Sequence, residues 1–332
     1  MIASNAPALP NVHDHVSMWV YEEEVNGRNL SNIINNEHEN VKYLPGVQLP
    51  QNLEAEPDLE RAVREASVLV WVLPHQFLPR LLPTVKAAMR KDAISVSLIK
   101  GMAASPDGAL QLISSRIVQG LGVGEVAVLM GANVADQVAR DEMCEATLGV
   151  SHPALIPVLL PLFDRASFRV RAVSDVAGVE VCGALKNVVA LAAGFADGLR
   201  LGSNTKAAFM RIGMVEISKF AQRFYPGVER ETMWESCGIA DLITTCLDGR
   251  NRRCAERFAV VTSAHEETSA QEAADAWHSI EAELLNGQKL QVAPVTMACP
   301  LGSCHNAMSF SRPSPPSCLP YAEAFSRALC RF

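Results

Sequence analysis

The pattern that most constrains the fold is an alternation, up to about Ser174, of short apolar runs with amphipathic stretches of about 10–15 residues. Runs such as Val68–Leu73 and Val126–Met130 are apolar at every position, which is typical of strands buried on both faces. Strands of this kind, separated by helices, form a parallel sheet between helical layers. We therefore expect an α/β domain with a doubly wound, mostly parallel sheet over residues 1–173.

The same pattern predicts the individual elements of this domain. The expected strands are Val16–Tyr21, Val68–Leu73, Ile94–Ile99, Val126–Met130, Glu145–Gly149 and Phe168–Ala172. The expected helices are Pro57–Ala66, Leu78–Met89, Gly108–Gly120, Ala135–Arg140 and Pro153–Phe163.

Beyond Ser174 the periodicity becomes helical, which predicts an all-α domain over residues 174–291. Its first part, Gly178–Ala208, is expected to be one long apolar helix. Val261–Asp275 is polar and predicts an exposed loop or a loosely held helix. The tail, residues 292–332, holds six prolines and six serines, and such a composition buries little apolar surface.

The overall composition excludes several classes of protein. A net charge of −7 argues against nucleic-acid binding, and 49% apolar with 20% charged residues is ordinary for a globular protein. The nine cysteines form no C-x-x-C pair, which favours reduced thiols in the cytoplasm, and we expect no metal site. The N-terminus does not resemble a signal peptide, and charged residues interrupt the most apolar segment, so no membrane span is expected.

Lys186 lies in the middle of the long apolar segment. A buried ammonium is unfavourable unless it is paired or used, and desolvation would lower its pKa towards the range that suits proton transfer. Gly183, Asn187 and Ala190 share its helical face, and the small residues leave room for a ligand. The alternative, a lysine that extends to the surface along its aliphatic stem, has equal weight on this evidence.

A second cluster of candidate site residues lies in residues 234–253. Arg250 and Asn251 stand close in sequence to Thr244 and Thr245, and a guanidinium with neutral donors suits a phosphate dianion. Asp241 is a candidate partner for the Lys186 ammonium. A solvated basic turn after a helix remains the alternative.

Polar residues also follow four of the predicted strands, where parallel sheets bind ligands. An acid after the first strand suits ribose hydroxyls, an aromatic suits a flat ring, and small residues let a ligand approach closely. These segments are Glu22–Glu24, Pro74–Phe77, Lys100–Gly101 and Gly131–Asn133, the last of which offers an asparagine to cap the next helix. Taken alone, the first two segments are equally consistent with an ordinary surface turn, a lysine at a strand end is more often simply solvated, and the last segment is a weak signal.

Taken together, the runs VSMWVYEE, VLPHQF, SLIKGM, LMGANVADQVA, GALKNVVALAAGFADGL, ESCGIADLITTCLDGRNRR and ELLNGQKLQ resemble the NAD-dependent glycerol-3-phosphate dehydrogenases of the eukaryotic cytosolic type. The resemblance covers most of residues 16–291 in family order. It implies a Rossmann-type NAD-binding domain, a helical substrate and dimerisation domain, and a cytoplasmic homodimer. It also implies interconversion of sn-glycerol 3-phosphate and dihydroxyacetone phosphate with NAD as cofactor.

The resemblance implies a role for each matching residue. Lys186 matches the general acid/base, Lys100 the lysine that binds the substrate and polarises its carbonyl, and Asp241 and Asn187 the groups that orient the reacting centre. Thr245 lies beside them, and Arg250 and Asn251 match the phosphate-binding pair. The positions that match contacts to NAD are Tyr21, Phe77, Ala135, Arg250, Lys289 and Gln291.

The chain departs from the family pattern in two places. The family begins with a strand, a G-x-G-x-x-G turn and a helix, and no such motif occurs in this sequence. After Gln291 the sequence resembles nothing in the family. Two functions therefore stay open, an active dehydrogenase and a non-catalytic, truncated or splice form that folds in part and pairs with intact subunits. The phosphate-type residues around Arg250 argue against a third, a β-hydroxyacid dehydrogenase.

Overall fold

The computed structural model describes residues 1–104, 110–263, 269–285 and 290. The chain divides into two compact units. Unit 1 comprises Met1–Lys100 with Leu112–Glu180, and unit 2 comprises Gly101–Gln111 with the chain from Val181 onward.

Thirteen strands occur in the described residues, and most of them are short. They are β1 Val16–Trp19, β2 Glu24–Val25, β3 Arg28–Asn29, β4 Glu39–Asn40, β5 Leu44–Gln48, β6 Leu53–Glu56, β7 Val68–Trp71, β8 Ile94–Ser97, β9 Met102–Ala104, β10 Leu110–Leu112, β11 Ala127–Ala132, β12 Cys144–Gly149 and β13 Phe168–Val173.

The α-helices of the described residues alternate with these strands in unit 1 and dominate unit 2. They are α1 Ile2–Asn5, α2 Leu30–Glu37, α3 Leu59–Arg64, α4 Leu78–Ala88, α5 Ile113–Leu121, α6 Ala135–Ala139, α7 Ile156–Phe163, α8 Val176–Gly198, α9 Ser203–Phe224, α10 Asp241–Asp248, α11 Arg250–Thr262 and α12 Ala270–Leu285.

The main sheet of unit 1 has five strands in the order β13-β12-β11-β8-β7. Strands β7, β8 and β11 run parallel, with Val68 opposite Ile94, whereas β12 runs antiparallel to β11 and parallel to β13. The mostly parallel sheet expected from the sequence is confirmed. Because β7, β8 and β11 share one direction, the loops that follow them lie at one edge of the sheet.

Strand β1 pairs in parallel with β6 in a separate two-stranded sheet. Helix α2 covers this pair, since Asn35 donates to the Ala55 carbonyl at 2.9 Å and accepts from the Ala55 amide at 2.7 Å. Leu30, Ile34 and Ala55 form a small buried cluster there. The five-stranded sheet buries a larger core that includes Phe163 against α7.

Helix α5 begins at a buried carboxylate. The Glu180 side chain, which has no solvent exposure, accepts the Ile113 amide at 2.5 Å and the Ser114 amide at 3.1 Å. The Ser114 hydroxyl donates to the same carboxylate at 2.5 Å. Burial raises the pKa of Glu180 to about 7, although these hydrogen bonds act in the opposite direction. The carboxylate thereby satisfies helix donors that have no partner within the helix.

Two of the predicted helices differ from the structure. The expected helix Gly108–Gly120 is wrong in its first part, because β10 occupies Leu110–Leu112 and α5 starts only at Ile113, where Glu180 caps it. The single long helix over Gly178–Ala208 is also wrong. Helix α8 ends at Gly198, where the Leu201 amide donates back to the Ala196 carbonyl and Arg200 has a left-handed φ of 55°, and α9 begins only at Ser203. Apolar composition continues through such a break, whereas a helix cannot.

In Val261–Asp275, expected to be an exposed loop or a loosely held helix, α11 ends at Thr262 and α12 begins at Ala270, and residues 264–268 lie outside the described part of the chain. The tail over residues 292–332 lies outside it as well.

The described helices of unit 2 pack around α8. Its glycines allow α11 to approach closely, because a Cβ at Gly194 would lie 2.2 Å from the Arg252 carbonyl oxygen and one at Gly198 would lie 2.5 Å from that of Glu256. A buried cluster around Trp277 joins α8, α11 and α12. Helix α8 is long and apolar enough to cross a membrane, but most of it is buried inside the protein, as in the core helix of a globular fold.

Stability should depend on the ionisation of Glu180. Its pKa in the folded protein is above the ordinary value of 4.5, so the folded state holds the proton more tightly between pH 4.5 and about 7. The free energy of unfolding should therefore fall by about 3 kcal/mol as pH rises through that window, and stay level above it. Urea unfolding across this pH range measures the free energies of unfolding of the wild type and of Glu180→Gln. The difference between the two free energies should vanish at low pH, where both side chains are neutral.

Glu283→Gln, on the exposed face of α12, is the matched control and should follow the wild-type pH profile. A Glu180→Gln profile parallel to the wild-type one would contradict the assignment of the pH dependence to this carboxylate.

Candidate functional site

Within unit 1, two strand ends meet at the predicted ligand edge of the sheet. The Lys100 ammonium, just after β8, donates to the Gly131 carbonyl at the end of β11 at 2.9 Å. Lys100 is half-buried. This contact places a cation at the carboxyl edge of the parallel strands, where an anionic or carbonyl oxygen of a ligand would be stabilised.

The same edge exposes large apolar side chains. After β7, Val72 is 68% and Phe77 is 50% exposed, and after β11, Val134 is 44% exposed just before the exposed Ala135. Tyr21, which follows β1, is 70% exposed. Exposed aromatic and aliphatic groups at strand ends fit a ligand with flat rings, since stacking would remove their surface from water.

The acids after β1 already have partners within the chain. The Glu22 carboxylate accepts the Ser31 amide at 3.2 Å and the Ser31 hydroxyl at 2.5 Å at the start of α2. Glu23 binds the Lys42 ammonium and accepts the Tyr43 hydroxyl at 2.7 Å. Their contacts therefore explain this charge run structurally, and any ribose contact would be additional to them.

The expected cap at Asn133 is wrong. Its amide donates to the Glu145 carbonyl on the neighbouring strand at 2.9 Å, and the residue at the start of α6 is Val134. The side chain joins two strands because β12 runs antiparallel beside β11, a pairing that local sequence does not reveal.

In unit 2, Lys186 lies buried in the middle of α8, only 7% exposed. Its ammonium forms an ion pair with the Asp241 carboxylate and donates to the Thr245 hydroxyl at 2.6 Å. The Thr245 hydroxyl in turn donates to the Asp241 carbonyl at 2.6 Å, which directs an oxygen lone pair towards the lysine. The pairing of Asp241 with Lys186 suggested by the sequence is thus present.

Helix α10 supplies both partners from one face. Asp241 is its first residue and Thr245 follows one turn later, and both are buried. A carboxylate in the first turn is also favoured by the helix dipole. Two of the three ammonium donors of Lys186 are therefore directed by a single short helix, which fixes the position of the nitrogen.

Arg250 and Asn251 begin α11 directly after α10. The connection turns at Gly249, where a Cβ would lie 2.3 Å from the Thr245 carbonyl oxygen, so only glycine fits. Asn251 is 5% exposed, whereas Arg250 is exposed. A guanidinium and an amide at the N-terminus of a 13-residue helix have the chemistry of an anion site.

The structure joins Lys186, Asp241 and Thr245 directly and places Arg250 and Asn251 on the adjoining helix, all within unit 2. Asn187 follows Lys186 on α8 and is half-buried. Lys100, Tyr21, Phe77 and Ala135 belong to unit 1. Lys289 and Gln291 lie outside the described residues.

Sequence reasoning missed one cluster in unit 2. Asp197, at the end of α8, accepts from Lys206 Nζ and from Arg252 Nε, both at 2.7 Å. The partners stand 9 and 55 residues away in the sequence, and a single acid near a helix end gives no signal of such a pairing.

The buried cysteine of α10 does not supply a nucleophile. Burial raises the pKa of the Cys246 thiol to about 12, so it stays protonated at neutral pH. Proton transfer and anion binding, rather than thiol chemistry, match the groups of this region.

A mostly parallel sheet with a ligand edge, followed by a helical unit with a buried lysine, is the arrangement of two-domain dehydrogenases that use a dinucleotide. Family models agree. The NAD-dependent glycerol-3-phosphate dehydrogenase N-terminus matches residues 3–156, and the C-terminus of the same family matches residues 175–299. The chain belongs to the NAD-dependent glycerol-3-phosphate dehydrogenase family, a family of oxidoreductases with an N-terminal NAD-binding domain.

Individual relatives are similar over most of the chain. The cytoplasmic glycerol-3-phosphate dehydrogenase [NAD(+)] of Drosophila ezoana is 47% identical over 89% of this chain and 80% of its own length. The human protein of the same name is 47% identical over 88% of this chain and 80% of its own. The solved glycerol-3-phosphate dehydrogenase of Saccharomyces cerevisiae has a TM-score of 0.78 at 42% identity, covering 87% of this chain and 81% of its own.

Removing one partner of the buried pair should destabilise unit 2 strongly. Asp241→Ala leaves the Lys186 ammonium without its carboxylate and should lower the free energy of unfolding by about 3 kcal/mol or more. The double variant Lys186→Met/Asp241→Ala removes the uncompensated charge and should be more stable than Asp241→Ala. Urea unfolding measures both.

Asp248→Ala removes an exposed carboxylate from the same helix and should change stability by less than about 0.5 kcal/mol. Equal stability of Asp241→Ala and Asp248→Ala would show that the pair contributes nothing.

Proposed function

We propose that the chain interconverts sn-glycerol 3-phosphate and dihydroxyacetone phosphate, with Lys186 as the general acid/base. The observation that carries the proposal is the buried Lys186 ammonium, held by the Asp241 carboxylate and the Thr245 hydroxyl. An ammonium fixed in this way is oriented before substrate arrives, which lowers the entropic part of the barrier. Membership of the family supports the reaction in general.

In the direction of reduction, Lys186 donates a proton to the C2 carbonyl oxygen while hydride reaches C2. In the direction of oxidation, the neutral lysine accepts the C2 hydroxyl proton. Asp241 stabilises the charged form of the lysine, and Asn187 helps to orient the reacting centre. Lys100 binds the substrate and polarises its carbonyl.

Arg250 and Asn251 hold the substrate phosphate in this proposal. The guanidinium offers two parallel donors, and the start of α11 adds the favourable end of the helix dipole. Thr245, buried one turn before Gly249, lies at the junction between this pair and Lys186.

When bound, the cofactor would supply the hydride chemistry at its nicotinamide ring, as the acceptor in the form of NAD⁺ and as the donor in the form of NADH. We propose that Tyr21, Phe77, Ala135 and Arg250 contact the cofactor, together with Lys289 and Gln291. The exposed apolar surface of Tyr21 and Phe77 supports this assignment. The sequence contains no G-x-G-x-x-G turn, and we assign no residue to the pyrophosphate.

We propose that residues 1–173 form the NAD-binding domain and residues 174–291 the substrate and dimerisation domain. A homodimer in the cytoplasm is proposed on the family resemblance. The Drosophila ezoana and human relatives are both named as cytoplasmic enzymes, which supports the location.

Lys186→Met should lower kcat for NADH oxidation with dihydroxyacetone phosphate by at least about 100-fold, because proton transfer loses its donor. The Kd for NADH, from fluorescence titration, should stay within about twofold of the wild type. Lys219→Met, which removes an exposed lysine of α9, is the control and should retain full turnover.

A Lys186→Met variant with wild-type kcat would contradict the role of the lysine. Absence of turnover in the wild-type chain itself would contradict the proposed activity and favour the non-catalytic form.

Arg250→Lys should raise KM for dihydroxyacetone phosphate about tenfold, because lysine lacks the planar fork. With NADH at saturating concentration, so that any weaker cofactor contact of Arg250 does not count, activity with dihydroxyacetone, which has no phosphate, should not change. Arg253→Lys replaces an exposed arginine of the same helix and should leave both KM values as in the wild type. Equal losses with both substrates after Arg250→Lys would argue against a phosphate contact.

A further inference from the structure

Helix α8 meets α10 and α11 at different levels. Lys186 binds α10 through Asp241, and two to three turns later α8 contacts α11 at Gly194 and Gly198. The groups proposed for phosphate binding lie at the junction of α10 and α11. The position of α11 along α8 therefore determines where those groups stand relative to the Lys186 ammonium.

The glycine contacts allow α11 to come close, but small residues do not by themselves fix a register. The Asp197 cluster, which comprises Asp197, Lys206 and Arg252, supplies a directional contact at the same place. Asp197 Oδ2 accepts Lys206 Nζ from α9 and Arg252 Nε from α11, so one carboxylate links three helices.

The cluster is shielded from water, with its three side chains only 17–20% exposed. Burial alone raises the pKa of Asp197, but the hydrogen bonds from Lys206 and Arg252 outweigh it, so that the pKa lies below the ordinary value. The carboxylate is therefore charged at neutral pH, and charge-assisted hydrogen bonds of this kind are shorter and more directional than neutral ones.

Arg252 follows Asn251 directly. It also contacts the Glu256 carboxylate one turn further along α11, at 3.1 Å, but Glu256 belongs to the same helix and cannot fix the helix relative to α8. Of these two carboxylates that contact Arg252, only that of Asp197 joins α11 to α8, the helix that carries Lys186.

We propose that Asp197 is a positioning residue for substrate phosphate binding: by holding Arg252, it fixes the start of α11 so that Arg250 and Asn251 meet the phosphate while C2 faces Lys186. This inference rests on the proposed function. A positioning role and a direct charge effect predict opposite changes in the affinity for substrate. Removing a nearby carboxylate would by itself strengthen the binding of a dianion, whereas loss of positioning weakens it.

The test is the Kd for sn-glycerol 3-phosphate, measured by isothermal titration calorimetry, in the wild type, Asp197→Asn and Glu256→Gln. Asp197→Asn keeps the size of the side chain and loses its charge. It should raise Kd about tenfold, whereas Glu256→Gln, which changes the other carboxylate on Arg252, should leave Kd within about twofold. The Kd for NADH should rise by much less than the Kd for sn-glycerol 3-phosphate, because most of the residues proposed to contact the cofactor lie outside α11.

An unchanged or lower Kd for sn-glycerol 3-phosphate in Asp197→Asn would overturn the positioning role while leaving the proposed function intact. A wild-type chain that does not bind sn-glycerol 3-phosphate would overturn both.

Arg252→Met keeps the inference testable if Asp197→Asn does not fold. This variant should raise the Kd for sn-glycerol 3-phosphate by a similar factor. Where both single variants fold, the double variant should have the same Kd as either of them, because the two substitutions break the same contact. Wild-type Kd in Arg252→Met would overturn the inference.

Discussion

The arrangement of unit 2 depends on one buried ammonium. An unpaired lysine in the middle of an apolar helix would be strongly unfavourable, and α10 removes that penalty by presenting a carboxylate and a hydroxyl from successive turns. The pair adds little stability over an apolar core, since desolvation offsets much of its attraction. In the mechanism proposed above, its value lies in fixing a proton-transfer group where a substrate can use it.

Helix α8 is a common reference for the groups of this unit. Lys186 holds α10, and the Gly194 and Gly198 surfaces with Asp197 hold α11, so the two ends of the proposed substrate would be bound by helices that share one support. Small residues and a charged contact act together here: glycine permits the close approach, and the carboxylate specifies the register.

Much of the fold follows from the sequence because it depends on local patterns. Fully apolar runs identified strands β7 and β11 of the central sheet, and the change of periodicity after Ser174 identified the helical unit. The predicted start of α5 and the predicted end of α8 were wrong because neither boundary depends on apolar periodicity. The first depends on a capping carboxylate 67 residues away, and the second on a left-handed φ at Arg200.

The candidate site likewise contains some contacts that the sequence predicts and others that it does not. Lys186 and Asp241 were predictable as partners because an isolated charge in an apolar segment demands a counter-charge. The link from Asp197 to Lys206 and Arg252 was not predictable, since it depends on the packing of three helices and on no motif. The contact of Asn133 with Glu145 likewise depends on a strand pairing.

The most direct test of the central claim is a crystal structure of the chain with NAD and sn-glycerol 3-phosphate. The account predicts the C2 oxygen within about 3 Å of Lys186 Nζ and the phosphate on Arg250 and Asn251. A substrate bound with its phosphate away from the start of α11, or with C2 out of reach of Lys186, would contradict it.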